Sequence, residues 1–362
     1  MNTRMPLQQP VLIMAGGTGG HIFPGIAVAD ELRRRGVPVV WLGSRGRLEG
    51  ELVPKAGIAL EMLEIEGVRG KGWLKLLRMP LDVVRAVYAA WRVLARLAPR
   101  SALSMGGYAA GPGGVAAWLR GVPLLVHEQN SIPGVTNRIL SIFAKKRLCG
   151  FSNTLKRGDW VGNPVRGEIA ALAPPAQRFA ARGTAQVRLL VLGGSQGAQA
   201  LNARVPQALA LLPPAQRPEV RHQCGAKFAE AARAAYATSA VVASVESFID
   251  DMAAAYAWAD LVLCRAGALT LAELAAAGVG ALLVPFPYAV DDHQTRNAQV
   301  MVAAGAAELL PEVQTSAERL AALLGELLCD RARLLRMAQA ARALAKPDAV
   351  ARIAEACIEV AA

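Results

Sequence analysis

The chain has 362 residues, with 40 Lys and Arg against 28 Asp and Glu, a formal charge of +12 at neutral pH. Hydrophobic residues make up 54% and charged residues 19%, which excludes global disorder, and at roughly 100–200 residues per domain the length predicts two domains. The two long uncharged stretches, 101–119 and 274–290, are broken by glycines and Pro112 or by Pro285 and Pro287, so neither offers the ~20 apolar residues a spanning helix needs.

Ahead of Val11 there is no long apolar region, and no secretory signal is expected. Val11–Ala15 is a short apolar run leading into Gly16-Gly17-Thr18-Gly19-Gly20, then a stretch of helical period from His21 to Leu32. That order predicts strand, tight turn, helix. Val37–Leu42 predicts the next strand.

From Arg69 to Arg100 the chain carries Arg69, Lys71, Lys75, Arg78, Arg85, Arg92, Arg96 and Arg100 against one acid, Asp82. More than half of the net charge therefore sits in this stretch. Trp73, Lys75, Leu76, Leu77, Arg78 and Met79 read as a surface patch for anionic lipid headgroups. Val84, Val87, Tyr88, Trp91 and Leu94 follow helical spacing and are expected to face a core, with the basic residues solvated.

A second glycine cluster runs from Gly106-Gly107-Tyr108 to Gly113-Gly114, and Leu124–His127 predicts a strand. Asn163-Pro164 and Ala173-Pro174-Pro175 read as a linker, because X-Pro steps resist helix continuation. Leu189–Leu192 then runs into Gly193-Gly194-Ser195-Gln196-Gly197 and a helical stretch through Leu212, repeating the opening motif half a chain later. Val220–Cys224 (with His222 inside it), Leu261–Cys264 and Ala281–Pro285 predict further strands. From about Ala332 the tail is helical, broken at Lys346-Pro347. Apolar runs alternating with helical segments imply α/β domains with parallel sheets and crossover helices.

A glycine turn feeding a helix lets backbone N–H groups and the helix dipole meet an anion; close helix–strand packing is the competing explanation. Neither repeated turn fits G-x-G-x-x-G, and no Walker A motif is present. In Arg265–Glu273, Thr270 and Glu273 form T-x-x-E. This is either a capping box or a first-turn glutamate that accepts hydrogen bonds from a ribose diol, and the sequence leaves both open. Pro285-Phe286-Pro287 followed by Asp291-Asp292-His293-Gln294-Thr295-Arg296-Asn297 has the polar density of a ligand crevice. The five cysteines lie far apart without C-x-x-C, which argues against a disulfide framework or a zinc site and suits a reducing cytoplasm.

These segments together resemble the MurG family of peptidoglycan-synthesis glycosyltransferases almost end to end. The matching residues are Gly16–Gly25, Gly106-Gly107-Tyr108, His127-Glu128-Gln129-Asn130, Gly162–Arg166, Gly193–Ala198, Phe248–Met252, Arg265–Glu273, and Gln294 with Asn297. The resemblance implies the α/β GT-B fold: two Rossmann-like doubly wound parallel-sheet domains with an interdomain cleft. Residues 1–165 would form an acceptor- and membrane-associating domain, with a C-terminal helix at about 345–362 packing back on it. Residues 166–344 would bind UDP-GlcNAc. The implied activity is transfer of GlcNAc from UDP-GlcNAc to undecaprenyl-pyrophosphate-linked muramyl-pentapeptide (lipid I), at the cytoplasmic face of the bacterial inner membrane.

The resemblance also implies site residues. For UDP-GlcNAc they are Ile249 at the uracil, Glu273 at the ribose, Ser195 and Ala268-Leu269-Thr270 at the pyrophosphate, and Gln294 at the sugar, with Leu271 and Ala272 also among the residues that bind this ligand. Thr18, Gly19, Gly20, Asn130 and Arg166 would approach the same ligand from the N-terminal side. Tyr108, His127 and Asn137 are expected at the acceptor. Ala110 stands where many relatives carry Ser, which puts any side-chain hydroxyl contact there in doubt.

An acceptor 4-hydroxyl attacking an α-linked sugar to give a β-linked product needs a base and a stabilised leaving diphosphate. His21 is the candidate base, since an ordinary imidazole pKa of about 6.5 suits proton abstraction at neutral pH; Glu128 is its rival. No D-x-D pair occurs in the chain, so no obligatory metal or other cofactor is expected, with helix N-termini, the Thr270 hydroxyl and Arg265 or Arg166 stabilising UDP. His222 reads as a strand histidine and His293 as a wall residue. Rival readings are a lipid glycosyltransferase acting on diacylglycerol, a UDP-GlcNAc 2-epimerase and a basic nucleic-acid-binding protein. The basic stretch carries no recognised nucleic-acid module, so no nucleic-acid partner is expected.

Overall fold

A computed structural model describes residues 9–46, 48–64, 73–194 and 197–360, leaving aside the side chains of 73–79 and 290. Contacts divide the chain into two units, Met1–Val165 with Lys346–Ala362, and Arg166–Ala345.

The first unit runs β1 (Val11–Ala15), α1 (Gly19–Arg34), β2 (Val39–Ser44), α2 (Glu49–Lys55), β3 (Ala59–Leu63), α3 (Trp73–Leu97), β4 (Ser101–Gly106), α4 (Ala110–Leu119), β5 (Leu124–Glu128), α5 (Val135–Leu140), β6 (Lys146–Cys149) and β7 (Asp159–Trp160). The second runs α6 (Gly167–Ala170), α7 (Pro175–Arg182), β8 (Arg188–Leu192), α8 (Gln199–Leu211), β9 (Glu219–Gln223), α9 (Ala229–Thr238), β10 (Ser244–Glu246), α10 (Met252–Trp258), β11 (Leu261–Cys264), α11 (Ala268–Ala277), β12 (Gly280–Leu283), α12 (His293–Ala303), β13 (Ala307–Leu309), α13 (Ala317–Cys329) and α14 (Arg331–Ala343). The chain then returns to the first unit as α15 (Ala349–Glu359).

The sheets are ordered β3-β2-β1-β4-β5-β6-β7 and β10-β9-β8-β11-β12-β13, and the strand pairs are parallel. Both are doubly wound, with the order reversing beside β1 and beside β8, where such sheets place their ligands. Helices cover both faces of each sheet. The central strands β1, β11 and β12 are therefore buried throughout and read in sequence as unbroken apolar runs.

Helix α15 closes one face of the first sheet. Its Ile353, Ala354 and Cys357 join the core that contains Ile13, Ile22, Val28 and Trp41. Its last turn is tied down by donors to its carbonyls: Ser101 Oγ to Cys357 O (2.7 Å), Arg100 to Ile358 O (3.2 Å) and Lys145 to Val360 O (3.1 Å). These donors satisfy acceptors a helix C-terminus leaves open.

Helix α3 meets the expectation at Leu94, which is buried, and at Val87, which packs against the same core, and departs from it at Val84, Tyr88 and Trp91. It turns Ala86, Ala90 and Leu94 inward and packs on α4. Val84 and Tyr88 are 64% and 61% exposed, and Trp91 is exposed too. Small side chains at i, i+4 let two helices approach closely, so the alanines form the seam together with Leu94, while Val84, Tyr88 and Trp91 are left outside. Tyr88 stacks on Trp91 with ring centroids 6.3 Å apart, and the Arg120 guanidinium sits 4.6 Å over the Trp91 ring. Trp118 and Leu119 at the end of α4 are also exposed. The side chains of the expected patch residues Trp73, Lys75, Leu76, Leu77, Arg78 and Met79 lie outside the described residues.

Candidate active site

In the first unit the site residues gather at the carboxyl ends of β1, β4 and β5. The turn after β1 is gripped by Glu49, a fully buried residue opening α2. Its Oε2 accepts the Gly17 N–H at 3.0 Å and its Oε1 accepts the Ser44 N–H at 3.0 Å. The Gly17 amide is thus committed internally. The main-chain groups left pointing along the α1 axis are those of Gly19 and Gly20, because Thr18 is the N-cap and its carbonyl already receives the His21 and Ile22 N–H groups.

The glycines at the end of β4, Gly106 and Gly107, are needed for close approach. A Cβ at Gly107 would fall 2.3 Å from the Gly16 carbonyl oxygen, and one at Gly106 would fall 3.1 Å from His21 Cε1. Packing explains this pair, and it leaves room for the His21 ring. Tyr108 follows, partly exposed, at the mouth of α4.

The end of β5 carries a polar cluster under the surface. His127, Glu128 and Gln129 are buried. Glu128 Oε1 accepts from the Asn130 main-chain N–H (3.0 Å) and Nδ2 (3.4 Å), and its Oε2 accepts from the Gly134 N–H (3.1 Å) and Asn137 Nδ2 (3.0 Å). A carboxylate so surrounded by N–H donors braces the 129–134 loop and has little lone-pair capacity left to abstract a proton. Asn137 is itself buried, donating also to the His127 carbonyl (3.1 Å) and accepting from Ser104 Oγ (2.8 Å). His127 Nε2 lies 3.0 Å from Gly162 O, and its Nδ1 lies 3.1 Å from Gln129 Nε2. Burial, opposed by the Gly162 bond, lowers the His127 pKa to about 4. His127 and Asn137 therefore differ from the expectation of acceptor contact: they are inside the protein with their polar atoms engaged. His21 is partly exposed, its Nδ1 2.9 Å from Gln129 Oε1.

In the second unit the turn after β8 is held in the same manner. Gln223 Oε1 accepts the Gly194 N–H at 3.0 Å, while its Nε2 donates to Gly194 O and Ser247 O. Ser195 lies outside the described residues. Beneath the turn, Asn202 donates to Cys224 O, which aims its Oδ1 at His222 Nε2 (3.0 Å), and Tyr236 closes on His222 Nδ1 (2.9 Å). His222 is a buried strand residue whose pKa burial lowers to about 4.

Helix α11 starts one turn earlier than a capping box at Thr270 requires. Gly267 is its N-cap, and the first intrahelical donor is the Leu271 N–H to Gly267 O (3.0 Å). Thr270 and Glu273 both lie within the helix, Glu273 in its second turn. The N–H groups of Ala268, Leu269 and Thr270 are the leading amides, a ready site for phosphate, with Leu271 buried behind them and Ala272 following. Glu273 Oε2 accepts the Tyr256 hydroxyl at 3.0 Å, and Oε1 accepts Arg166 at 3.2 Å. Burial raises the Glu273 carboxyl above its ordinary value, and the Arg166 charge and the Tyr256 bond pull it back. Burial and the Glu273 charge push the Tyr256 phenol well up, so it remains an O–H donor.

Arg265 is spent on structure: it pairs with Glu312, donates to Val284 O and Pro285 O, and lies 5.5 Å from the Phe286 ring centroid. Gln294 Oε1 accepts the Phe286 N–H at 2.9 Å, which leaves its Nε2 as donor. Buried Asn297 donates to Ala266 O (3.3 Å). Ile249 is buried just ahead of α10, which Asp251 caps by accepting the Ala254 N–H at 2.8 Å. Among the described residues no three His, Cys, Asp or Glu side chains gather as a metal site.

The sequence matches the profile of the glycosyltransferase family 28 N-terminal domain over residues 11–149 and that of the C-terminal domain over residues 188–353. The chain belongs to glycosyltransferase family 28. Within this family it is 63% identical over 348 residues to a protein of Xanthomonas campestris pv. campestris (strain 8004), covering 96% of this chain and 81% of that one. It is 56% identical over 352 residues to one of Xylella fastidiosa (strain M12), covering 97% and 96%. Both bear the name UDP-N-acetylglucosamine–N-acetylmuramyl-(pentapeptide) pyrophosphoryl-undecaprenol N-acetylglucosamine transferase. The crystal structure of Acinetobacter baumannii MurG superposes with a TM-score of 0.84 at 38% identity, covering 96% of this chain and 98% of that one. The family 28 chain thus has the GT-B pair of Rossmann-like domains, each with its own switch-point site.

Several residues that shape these sites carry no signal in the sequence. Glu49, Gln223 and Tyr256 belong to no motif, and Gln129 was visible only as part of the His127–Asn130 segment.

Proposed function

We propose that this chain moves N-acetylglucosamine from UDP-GlcNAc to the 4-hydroxyl of N-acetylmuramic acid in undecaprenyl-pyrophosphate-linked muramyl-pentapeptide, converting lipid I to lipid II in peptidoglycan synthesis. The observation that carries the reading is 63% identity across 96% of the chain to a relative bearing that transferase name.

In this reading the second unit holds the donor. The main chain at Ile249 meets the uracil, and Glu273, oriented by Arg166 and Tyr256, accepts the ribose hydroxyls. The leading amides of α11 and the Thr270 hydroxyl face the diphosphate. Gln294 Nε2 donates to a sugar hydroxyl. As the glycosidic bond breaks, charge accumulates on the departing UDP, and fixed N–H dipoles stabilise it without reorganising. No obligatory metal is needed where the helix terminus and Thr270 supply those contacts. The acceptor hydroxyl attacks the anomeric carbon from the opposite side, giving a β-linked product, and His21 takes its proton.

The first unit meets the lipid surface in the same reading. Val84, Tyr88, Trp91, Trp118 and Leu119 are exposed beside Arg85, Arg92 and Arg120, the mixture of apolar and basic residues that binds anionic headgroups. Among the described residues no helix is long and apolar enough to cross a membrane.

Transfer of radiolabelled GlcNAc from UDP-GlcNAc to a lipid I analogue tests the proposal. Label in the lipid product, undiminished by EDTA, is the expected result. Conversion of UDP-GlcNAc without an acceptor, or no transfer, refutes it.

A further inference from the structure

We infer that Gln129 is a positioning residue for His21, its side-chain amide fixing the tautomer that carries the proton on Nδ1 and leaves the Nε2 lone pair open. The inference rests on the reading of His21 as the base, and it assigns Gln129 a part in that chemistry.

Two oxygen atoms around Gln129 have hydrogen-bonding roles that are not adjustable. The His127 carbonyl oxygen only accepts, and the Gln129 side-chain nitrogen lies 3.1 Å from it. That contact fixes which end of the amide is nitrogen. The other end, Oε1, also only accepts, and it lies 2.9 Å from His21 Nδ1. His21 Nδ1 must therefore carry hydrogen, and a neutral ring with Nδ1–H has its lone pair on Nε2. The second hydrogen of the Gln129 amide has a partner as well, since His127 Nδ1 lies 3.1 Å away. His127 is thereby an acceptor at Nδ1 and a donor at Nε2, which meets the Gly162 carbonyl at 3.0 Å.

The chain Gly162 O–His127–Gln129–His21 is thus directional, with every proton position set by two main-chain carbonyls. Because burial holds His127 neutral well below neutral pH, the relay does not reverse at the pH where the enzyme works. Gln129 and His127 are both buried, so neither reaches substrate, and their influence passes through His21. The arrangement follows the logic by which a buried hydrogen-bond partner orients a catalytic imidazole.

The direct test is a long-range 1H–15N spectrum of the full chain labelled at its four histidines, with His21 assigned by its loss in His21→Gln. Neutral His21 in the Nδ1–H form is expected, and the Nε2–H form in the wild-type protein overturns the inference whatever any variant does. In Gln129→Met the His21 signals should move toward the Nε2–H form that an unrestrained side chain prefers; an unchanged tautomer also overturns it. Kinetics supply the second readout. Gln129→Met should lower kcat about tenfold or more, within the roughly 10²–10⁴ a positioned base contributes, with the KM for UDP-GlcNAc within about twofold. Gln129→Glu still accepts from Nδ1–H, so it should keep the tautomer while moving the acidic limb of the kcat profile to higher pH, because a carboxylate stabilises the imidazolium. A limb that stays in place contradicts the role. If His21→Ala keeps near-normal kcat, the base reading fails, and the tautomer spectrum still decides what Gln129 does.

Discussion

Glu49 accepts the Gly17 N–H at 3.0 Å, so the amide of the second glycine in the opening turn faces the protein interior and not a ligand. Gln223 does the same for Gly194 in the other half. The repeated glycine turns are therefore repeated down to the neighbour that pins them, a carboxylate in one case and an amide in the other. The second case has a further bond, because the amide also donates back to the Gly194 carbonyl.

Glu49→Gln separates the two acceptors Glu49 provides. An amide accepts through one oxygen only, so either the Gly17 or the Ser44 N–H is left facing an NH2 group. A buried unsatisfied donor costs about 1–3 kcal/mol. Urea unfolding should show a loss of that size in the first unit, with UDP-GlcNAc affinity nearly unchanged; a midpoint equal to wild type would contradict the clasp.

Glu273→Gln keeps an acceptor for the Tyr256 hydroxyl while removing the charge that pairs with Arg166. The KM for UDP-GlcNAc should rise about 10–100-fold, the loss expected when a charged hydrogen bond of ~1.5–3 kcal/mol is removed. In the ribose role proposed for it Glu273 acts as the ionised carboxylate, and burial raises its pKa. Donor affinity should therefore fall as pH drops toward that raised value, and Glu273→Gln should abolish this dependence. Steady-state KM measured across acidic pH checks both.

His127 and His222 give the fold an acid sensitivity of definite sign. Each is neutral when folded, with a pKa of about 4, against an ordinary value of 6.5. Between those values the unfolded chain binds protons the folded chain does not, so stability is complete above about 6.5 and is lost as pH falls toward 4. Each contributes up to about 3 kcal/mol. Calorimetry near pH 5 in buffers of different ionisation enthalpy should show proton uptake on unfolding, reduced by close to one proton in His222→Gln.

Val84→Glu combined with Tyr88→Ser changes only exposed side chains of α3. Co-sedimentation with anionic vesicles should fall several-fold, while transfer to a water-soluble acceptor analogue should stay within about twofold of wild type. Equal vesicle binding would remove α3 from the docking surface. Added salt should weaken the wild-type interaction through screening.

The sequence announced some of this architecture clearly and hid the rest for physical reasons. Buried parallel strands such as β1 and β11 leave unbroken apolar runs whose ends coincide with the strand ends. Strand β10, with Ser244 exposed, leaves no such run. The T-x-x-E pattern at Thr270 and Glu273 recurs both at helix starts and one turn inside them, so spacing alone could not place α11. On α3 helical spacing marks Val84, Tyr88 and Trp91 as core, yet Ala86 and Ala90 form the seam with Leu94. The contacts that set the sites are longer in range still. Glu49 and Gly17 are 32 residues apart and Gln223 and Gly194 are 29, and no local pattern reports such a pair.

Helix α15 has a consequence for synthesis. The second unit is one uninterrupted segment, Arg166–Ala345, whereas the first needs Lys346–Ala362 to cover its sheet. A nascent chain therefore exposes the unfinished apolar face around Ile13 and Val28 until after the whole second unit has left the ribosome. The N-terminal half is begun first and completed last, and domains of such a chain mature against the usual order of emergence.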